Sequence, residues 1–444
     1  MTLKEHLRRT SLLAYPVILA QLGHVFVGVA DSIMVGQLGA IPLAAVSFAN
    51  GIFGIVLVTG YGVSISVTPF VAKAHASHED HELPSWLWHS IILCAVTAFL
   101  ILGIYFLFEH NIYHLDQPEE VLELALPYLE IIILSTLPLM FFQSMKQFAE
   151  GLSITFEPML ISVFSNLLNI LLNYVLIYGK WGFPEMGIIG AGYATLISRS
   201  VMAILMFIMV RYYSRLEEYS ANFFRMPFSW SKIIDLLRIG VPTALQYLFE
   251  VGAFAFAVFM MGWLGAIPQA AHQIAINLAS VTYMVSAGIA SATTVRVGNQ
   301  LGLRDKHNLR QAAFTGMALS AVVMIITGLS FAFGGRLFAS LYVHDAEVIA
   351  LAAQLLFIAA LFQLSDGLQV VALGALRGMK DVIYPTLVAF FAYWGIGIPS
   401  AYFLGIRYEM GGVGIWIGLA LGLTFSAVML MFRFARKSNR LFSE

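Results

Sequence analysis

The chain has 444 residues, 59% hydrophobic and 11% charged, with a formal net charge of −1. A soluble domain carries about a quarter charged residues, so this composition excludes a soluble globular fold and reads as a polytopic membrane protein. The near-neutral charge gives no sign of a nucleic-acid partner, and the single cysteine, Cys94, has no partner for an internal disulfide and is expected to serve packing.

A helical span needs about 20 mostly apolar residues. Twelve such segments follow in order, at roughly 11–35, 43–72, 86–108, 120–148, 155–178, 187–213, 235–262, 270–298, 309–333, 347–375, 381–405 and 410–434. They are far longer than barrel strands and do not alternate, so helices are expected. Lys4, Arg8 and Arg9 lead directly into span 1 with no small-residue cleavage site, which reads as a retained first helix. The expected fold class is an all-α polytopic membrane protein with twelve transmembrane helices.

The chain carries one segment twice. At an offset of 226, Pro16 to Val71 aligns without a gap on Pro242 to Val297, with 17 of 56 positions identical. The densest match is Gly-x-Leu-Gly-Ala-Ile-Pro-x-Ala-Ala, at Gly36 to Ala45 and at Gly262 to Ala271. More loosely, Gly151 and Pro158 fall on Gly378 and Pro385. Six spans lie in each half, so the repeats are parallel and should be related by an axis along the membrane normal. The expected organisation is an amino lobe over 1–213, a linker over 214–234 and a carboxyl lobe over 235–444.

Twenty of the lysines and arginines lie at the termini and in the loops after even-numbered spans, against Lys180, Arg336 and Arg407 on the other side and Arg199 within span 6. The basic side is expected to be cytoplasmic, with both termini. Acidic residues, among them Glu109, Asp116, Glu119 and Glu120, collect after span 3, on the opposite side.

Charge inside a span costs at least about 2.5 kcal/mol on insertion scales and requires a reason. In span 1, Gln21, His24, Gly28 and Asp31 share one helix face, and Pro16 is expected to be a bend point because it loosens the hydrogen-bond ladder. In span 5, Ser162, Asn166, Asn169 and Asn173 share a face, with Thr195 of span 6 at similar depth. Asp31, Asn169, Asn173 and Thr195 offer hard oxygen donors that could coordinate a sodium ion or tune the carboxylate for a proton. The bland reading makes the asparagines interhelical glue. The second half places Glu250 mid-span in span 7, with Gln246 one turn before it, and Asp366 in span 10 between Gln363 and Gln369. Gln273, Asn277 and Ser280 form a polar face on span 8. The repeat sets His24 opposite Glu250 and Ala257 opposite Asp31, so the halves share a scaffold but not their ionisable groups. Desolvated carboxylates close together suit a proton near neutral pH or a shared cation; burial as neutral structural acids is the alternative. Gln21, His24, Gln246, Gln273, Asn277 and Gln363 are candidate substrate-cleft residues. His272 reads as packing, and Lys146 with Glu150 as a local ion pair.

No phosphate loop of the Gly-x-x-x-x-Gly-Lys-Ser/Thr type is present, and Gly190-Ala-Gly192 reads as a close helix contact. No His-Glu-x-x-His, Cys/His ligand cluster or Gly-x-Ser-x-Gly appears, so an enzyme is not expected. A doubled membrane domain with carboxylates in its spans points to a secondary transporter.

Several segments carry a family likeness. They are Tyr15-Pro16 followed by Val-Ala-Asp31-Ser-Ile-Met-Val-Gly36, Asn169-x-x-x-Asn173-Tyr174, Glu250, Ala-Ala-His-Gln at 270–273, Val-Arg-Val-Gly-Asn-Gln-Leu-Gly at 295–302, and Asp366. In order and spacing the chain resembles the multidrug and toxin extrusion (MATE) family, in its NorM-like branch. The resemblance implies two pseudo-symmetric six-helix lobes around a central cleft. It implies an antiporter in the cell inner membrane that expels lipophilic organic cations while Na+ or H+ enters, with no other cofactor, working among membrane lipid as a monomer. It implies that Asp31, with Asn169, Asn173 and Thr195, is the amino-lobe coupling site, and that Glu250 and Asp366 couple in the carboxyl lobe. Two departures leave the coupling ion open: Phe362 and Asn173 stand where some relatives have tyrosine and a second aspartate. A lipid-linked precursor flippase of similar build is the rival, but it predicts a cleft rich in arginine and lysine, which these spans nearly lack.

Overall fold

The computed structural model describes residues 2–112, 118–220 and 223–441. Asp116 of the expected acidic loop, and 221–222 of the expected linker, lie outside the described residues. All twelve spans are helical: Leu3–Gly36, Ala40–Ala76, Asp80–Glu109, Glu119–Gly151, Phe156–Ile177, Gly187–Tyr212, Trp230–Leu264, Ala266–Gly302, Lys306–Ser340, Ala346–Gly378, Ile383–Arg407 and Gly411–Arg440. No strand occurs among the described residues. Several helices overrun their apolar stretch. Span 8, with 37 residues, is about 55 Å long at 1.5 Å per residue, against a hydrocarbon layer of about 30 Å. Apolar composition therefore marks the hydrocarbon, and the helix continues past it.

Packing divides the chain into two compact units. An amino unit comprises Leu19–Ala244, and a carboxyl unit comprises Met1–Ile18 with Leu245–Glu444. The expected boundaries at 213 and 235 follow the sequence repeat, whereas packing cuts spans 1 and 7 in mid-helix. The two cuts are themselves related by 226 residues. Glycines explain the geometry. A Cβ on Gly62 of span 2 would meet Ala244 Cα at 2.3 Å, and one on Gly288 of span 8 would meet Ile18 Cγ1 at 2.4 Å. These two contacts are the same contact in the two repeats. Span 1 runs unbroken through Pro16, and span 7 through Pro242, two residues before each cut.

The motif that first exposed the repeat also has a backbone cause. Gly39 and Gly265, which precede spans 2 and 8, adopt φ of 124° and 114° with ψ of 177° and −178°. Only glycine occupies that region without strain. The connection over 214–234 is packed as well as basic: Leu216 and Phe223 are buried, Phe224 packs edge-on to Trp88, and the Ser229 amide donates to His89 Nε2 at 2.8 Å, all within the amino unit.

Each unit has its own apolar core. In the amino unit it gathers Val35, Phe53, Tyr128, Leu129, Ile132 and Ile177. In the carboxyl unit it gathers Met260, Met261, Leu355, Leu356, Phe362 and Trp416. Span 11 departs from a regular helix, with π-helical turns at Phe391–Gly397 and Phe403–Arg407. Pro399 has no amide hydrogen to give Gly395 and crowds its carbonyl, which favours a widened turn just before it. Span 12 lies directly on this segment, since a Cβ on Gly422 would meet Ala392 O at 2.6 Å.

Candidate functional site: carboxylates within the spans

In the amino unit, Asp31 accepts a short hydrogen bond from Asn173 Nδ2. Asn173 Nδ2 also reaches Asn169 Oδ1, one turn earlier on span 5, at 3.2 Å. Asn169 Nδ2 in turn donates to Thr195 Oγ1 and Ser198 Oγ of span 6, each at 3.3 Å. The four residues expected from the sequence thus form one connected array. Gly190 permits it: a Cβ there would meet Leu176 O at 2.6 Å, so spans 5 and 6 approach closely just after Asn173 and just before Thr195. Tyr178 Oη fixes the end of span 1 by donating to Met34 O at 2.8 Å.

Two neighbours were not anticipated. Ser198 follows Thr195 by one turn, a spacing that could have revealed it. Arg199 lies within electrostatic reach of Asp31, donates to Ser135 Oγ at 2.6 Å and sits 4.9 Å from the Phe53 ring. His24 Nε2 and Asn166 Nδ2 are buried without hydrogen-bond partners among the described residues. The Asn166 amide would be 2.7 Å from a Cβ on Gly23, so it lies beside the residue preceding His24. Gln21 is half-buried on the same helix. Lys146 and Glu150 are buried and paired at 3.6 Å.

In the carboxyl unit, Glu250 and Asp366 are buried at 7% and 9% exposure, and each lies within the other's field. Neither has an ion pair among the described residues. Tyr393 and Tyr283 both lie within electrostatic reach of the two acids. Tyr393 sits in an aromatic run with no polar periodicity, so no sequence signal pointed to it. Gln246 donates to Val382 O at 3.1 Å and Thr386 Oγ1 at 3.0 Å, joining span 7 to span 11. Gln363 accepts from Thr327 at 2.5 Å and donates to Thr282 at 3.1 Å, joining spans 8, 9 and 10. Both side chains therefore have defined structural work. Gln273 and Asn277 are exposed and bond each other at 3.0 Å. His272 Nδ1 accepts from Trp416 Nε1 at 3.0 Å inside the core.

Among the described residues no group of three or more His, Cys, Asp or Glu is placed to hold a metal ion. The chemistry on hand is that of carboxylates, amides and hydroxyls. Such oxygens suit a proton or a hard monovalent cation, and a polytopic helical protein that holds them within its spans is built as a membrane transporter. The MatE family pattern matches residues 16–175 and 242–403. The chain belongs to the MatE family, a family of transporters and not of enzymes. It is 35% identical to the multidrug resistance protein NorM of Photobacterium profundum over 97% of this chain and 95% of that one. It is also 35% identical to the multidrug resistance protein MdtK of Pectobacterium atrosepticum, over 96% and 94%. Its fold superimposes on the eukaryotic MATE transporter AtDTX14 with a TM-score of 0.85, at 22% identity, covering 99% of this chain and all of that one.

Proposed function

We propose that the protein is a secondary active multidrug efflux antiporter of the cell inner membrane, with both termini cytoplasmic, acting as a monomer. It exports lipophilic organic cations in exchange for inward Na+ or H+ by alternating access. The observation that carries this reading is the pair of separate carboxylate sites held within the spans: Asp31 with Asn173, and Glu250 with Asp366. The names of the relatives, multidrug resistance proteins, supply the cargo class.

An ionised acid in a poorly solvated cleft attracts a lipophilic cation, and aromatic walls add apolar contact and cation–π attraction. Once a proton or sodium ion neutralises the acid, that attraction is lost and the cargo leaves. The coupling is reciprocal: an ion that weakens cargo binding is itself bound less well while cargo is present. Asp31, held by Asn173, exchanges ions in the amino lobe, and Glu250 with Asp366 does so in the carboxyl lobe. Gln21, His24, Gln246, Gln273, Asn277 and Gln363 belong to the lobes that rock about the cleft.

Uptake of a fluorescent lipophilic cation into everted vesicles tests this, with sodium and pH gradients imposed separately. Uptake should respond to one or both gradients, and Asp31→Asn should reduce it at least about tenfold, the loss of roughly 1.4 kcal/mol of coupling. Uptake indifferent to both gradients, or full coupling in Asp31→Asn, would refute the reading.

A further inference from the structure

We propose that a groove on the carboxyl unit, between spans 9, 10 and 12, is a binding site for one anionic phospholipid. Arg336 and Gln354 hold its phosphate, and the apolar floor of the groove takes an acyl chain. The site goes beyond the antiport reading and does not depend on it.

The groove follows from how spans 9 and 10 pack. They meet at two glycines of span 9 that lie two turns apart on one face. A Cβ on Gly328 would meet Ala360 O at 3.0 Å, and one on Gly335 would meet Ala353 Cα at 3.4 Å. Small residues let two backbones come this close. They also leave the surface beside the seam hollow. A groove of about 600 Å³ opens there, lined by Ala332, Phe333, Ala350 and Phe357 and flanked by Val413 of span 12. Sites that bury a small ligand occupy roughly 300–1,000 Å³. The whole lining belongs to the carboxyl unit. Phe333 on its rim is 88% exposed, so the groove calls for an apolar occupant.

Two polar residues break that apolar lining, Arg336 and Gln354. Each directly follows a member of the Gly335–Ala353 contact, so they stand at nearly one level across the seam. Both are exposed, and neither has a hydrogen bond or ion pair among the described residues. Arg336 lies about one turn inside the end of span 9, and Gln354 about two turns inside the start of span 10. A charge and an amide at that depth are costly unless something matches them. A phosphate diester does so: it carries one negative charge, its oxygens accept from a guanidinium in pairs, and the glutamine amide donates to another. The acyl chain joined to that phosphate accounts for the floor. A lipophilic cation would suit the floor but be repelled by Arg336, and a free phosphate would leave the floor empty. The sequence places only Lys180 and Arg407 with Arg336 on that side of the membrane, so an anionic lipid there has few other basic groups to meet.

Native mass spectrometry of the full chain in detergent, titrated with lipid, tests the site, with the lipid-induced rise in melting temperature as a second readout. Phosphatidylglycerol is the probe, phosphatidylcholine with the same chains the comparison, and inorganic phosphate the competitor. The wild type should bind one phosphatidylglycerol about fivefold or more tighter than phosphatidylcholine, the worth of one arginine beside an anionic headgroup. Arg336→Gln should abolish that preference and Arg336→Lys should keep most of it, with melting of the lipid-free variants as the fold control. Ala350→Phe, which fills the floor, should weaken both lipids alike. Inorganic phosphate at the lipid's concentration should displace neither. A wild type without the preference, an Arg336→Gln variant that keeps it, or displacement of the lipid by phosphate would each overturn the proposal. Gradient-driven uptake of a fluorescent cation by Arg336→Gln should continue, so loss of the lipid site leaves the antiport reading standing.

Discussion

Arg296 lies in the Val-Arg-Val-Gly stretch that helped identify the family, and its work is to hold the start of span 1 on the carboxyl unit. Its guanidinium donates to the His6 carbonyl at 2.9 Å, to Thr10 Oγ1, and to His6 Nδ1 at 2.7 Å. Arginine can only donate, so Nδ1 must accept and the hydrogen of His6 sits on Nε2, facing Asn308 Oδ1 at 3.0 Å. Asn308 then donates through its amide side chain to Asp305 Oδ2 at 2.6 Å and through its backbone to Oδ1 at 2.9 Å. The bonds run in one direction, from Arg296 through His6 and Asn308 to Asp305. The backbone and then the side-chain bonds of Asn308 hold the Asp305 carboxyl below its ordinary range. A depressed folded-state value adds stability above the unfolded value and loses it as pH falls through the folded one. Asp305 should therefore contribute fully above about pH 5 and lose that contribution below the ordinary aspartate value of about 3.9. Melting temperature against pH should fall more steeply in the wild type than in Asp305→Asn, and parallel curves would remove Asp305 from this role. The sequence marked Arg296 as part of a motif but gave no hint of its partners, which lie some 290 residues away.

At the level of elements, the twelve spans were readable because length and hydropathy alone select them, and the asparagine array of span 5 was readable because its members recur at one-turn spacing. The π-turns of span 11 were not. They arise from Pro399 and from the close seat of span 12, and the second cause is tertiary. Gly62 and Gly288 lie between the two kinds of feature: the repeat flagged them as identical, yet only the packing shows what they admit. A side chain at Gly288 would strike Ile18, including its backbone N at 3.0 Å, and one at Gly62 would strike the Ala244 backbone. Gly62→Val should therefore cost upwards of about 3 kcal/mol, the high end for overpacking against a contact that cannot rotate away. Gly28→Val, with open space at that position, is the matched control for adding apolar bulk. Monodispersity on size exclusion and thermal melts in detergent would decide, and equal behaviour of the two variants would defeat the argument.

For the whole molecule, the duplicated sequence and the compact units are different divisions of one chain. Each unit takes most of one repeat and the first half of one helix from the other. The repeat was legible by alignment, but an exchange of half-helices leaves no composition signal, because both copies of the exchanged segment are apolar and similar. A fragment of residues 1–228 lacks the segment that covers Gly62. It should be polydisperse when expressed alone and recover only with residues 229–444 supplied in the same cell, as judged by co-purification. A monodisperse lone fragment would contradict this assignment. The exchange also imposes an order on biosynthesis. The first 18 residues leave the ribosome long before Gly288 and Arg296, their seat, have been made. At about 5–20 residues per second that interval is roughly tens of seconds. Throughout it the nascent amino-terminal segment stays without its final neighbours, so the insertion machinery or surrounding lipid must shelter it until the second half of the chain arrives.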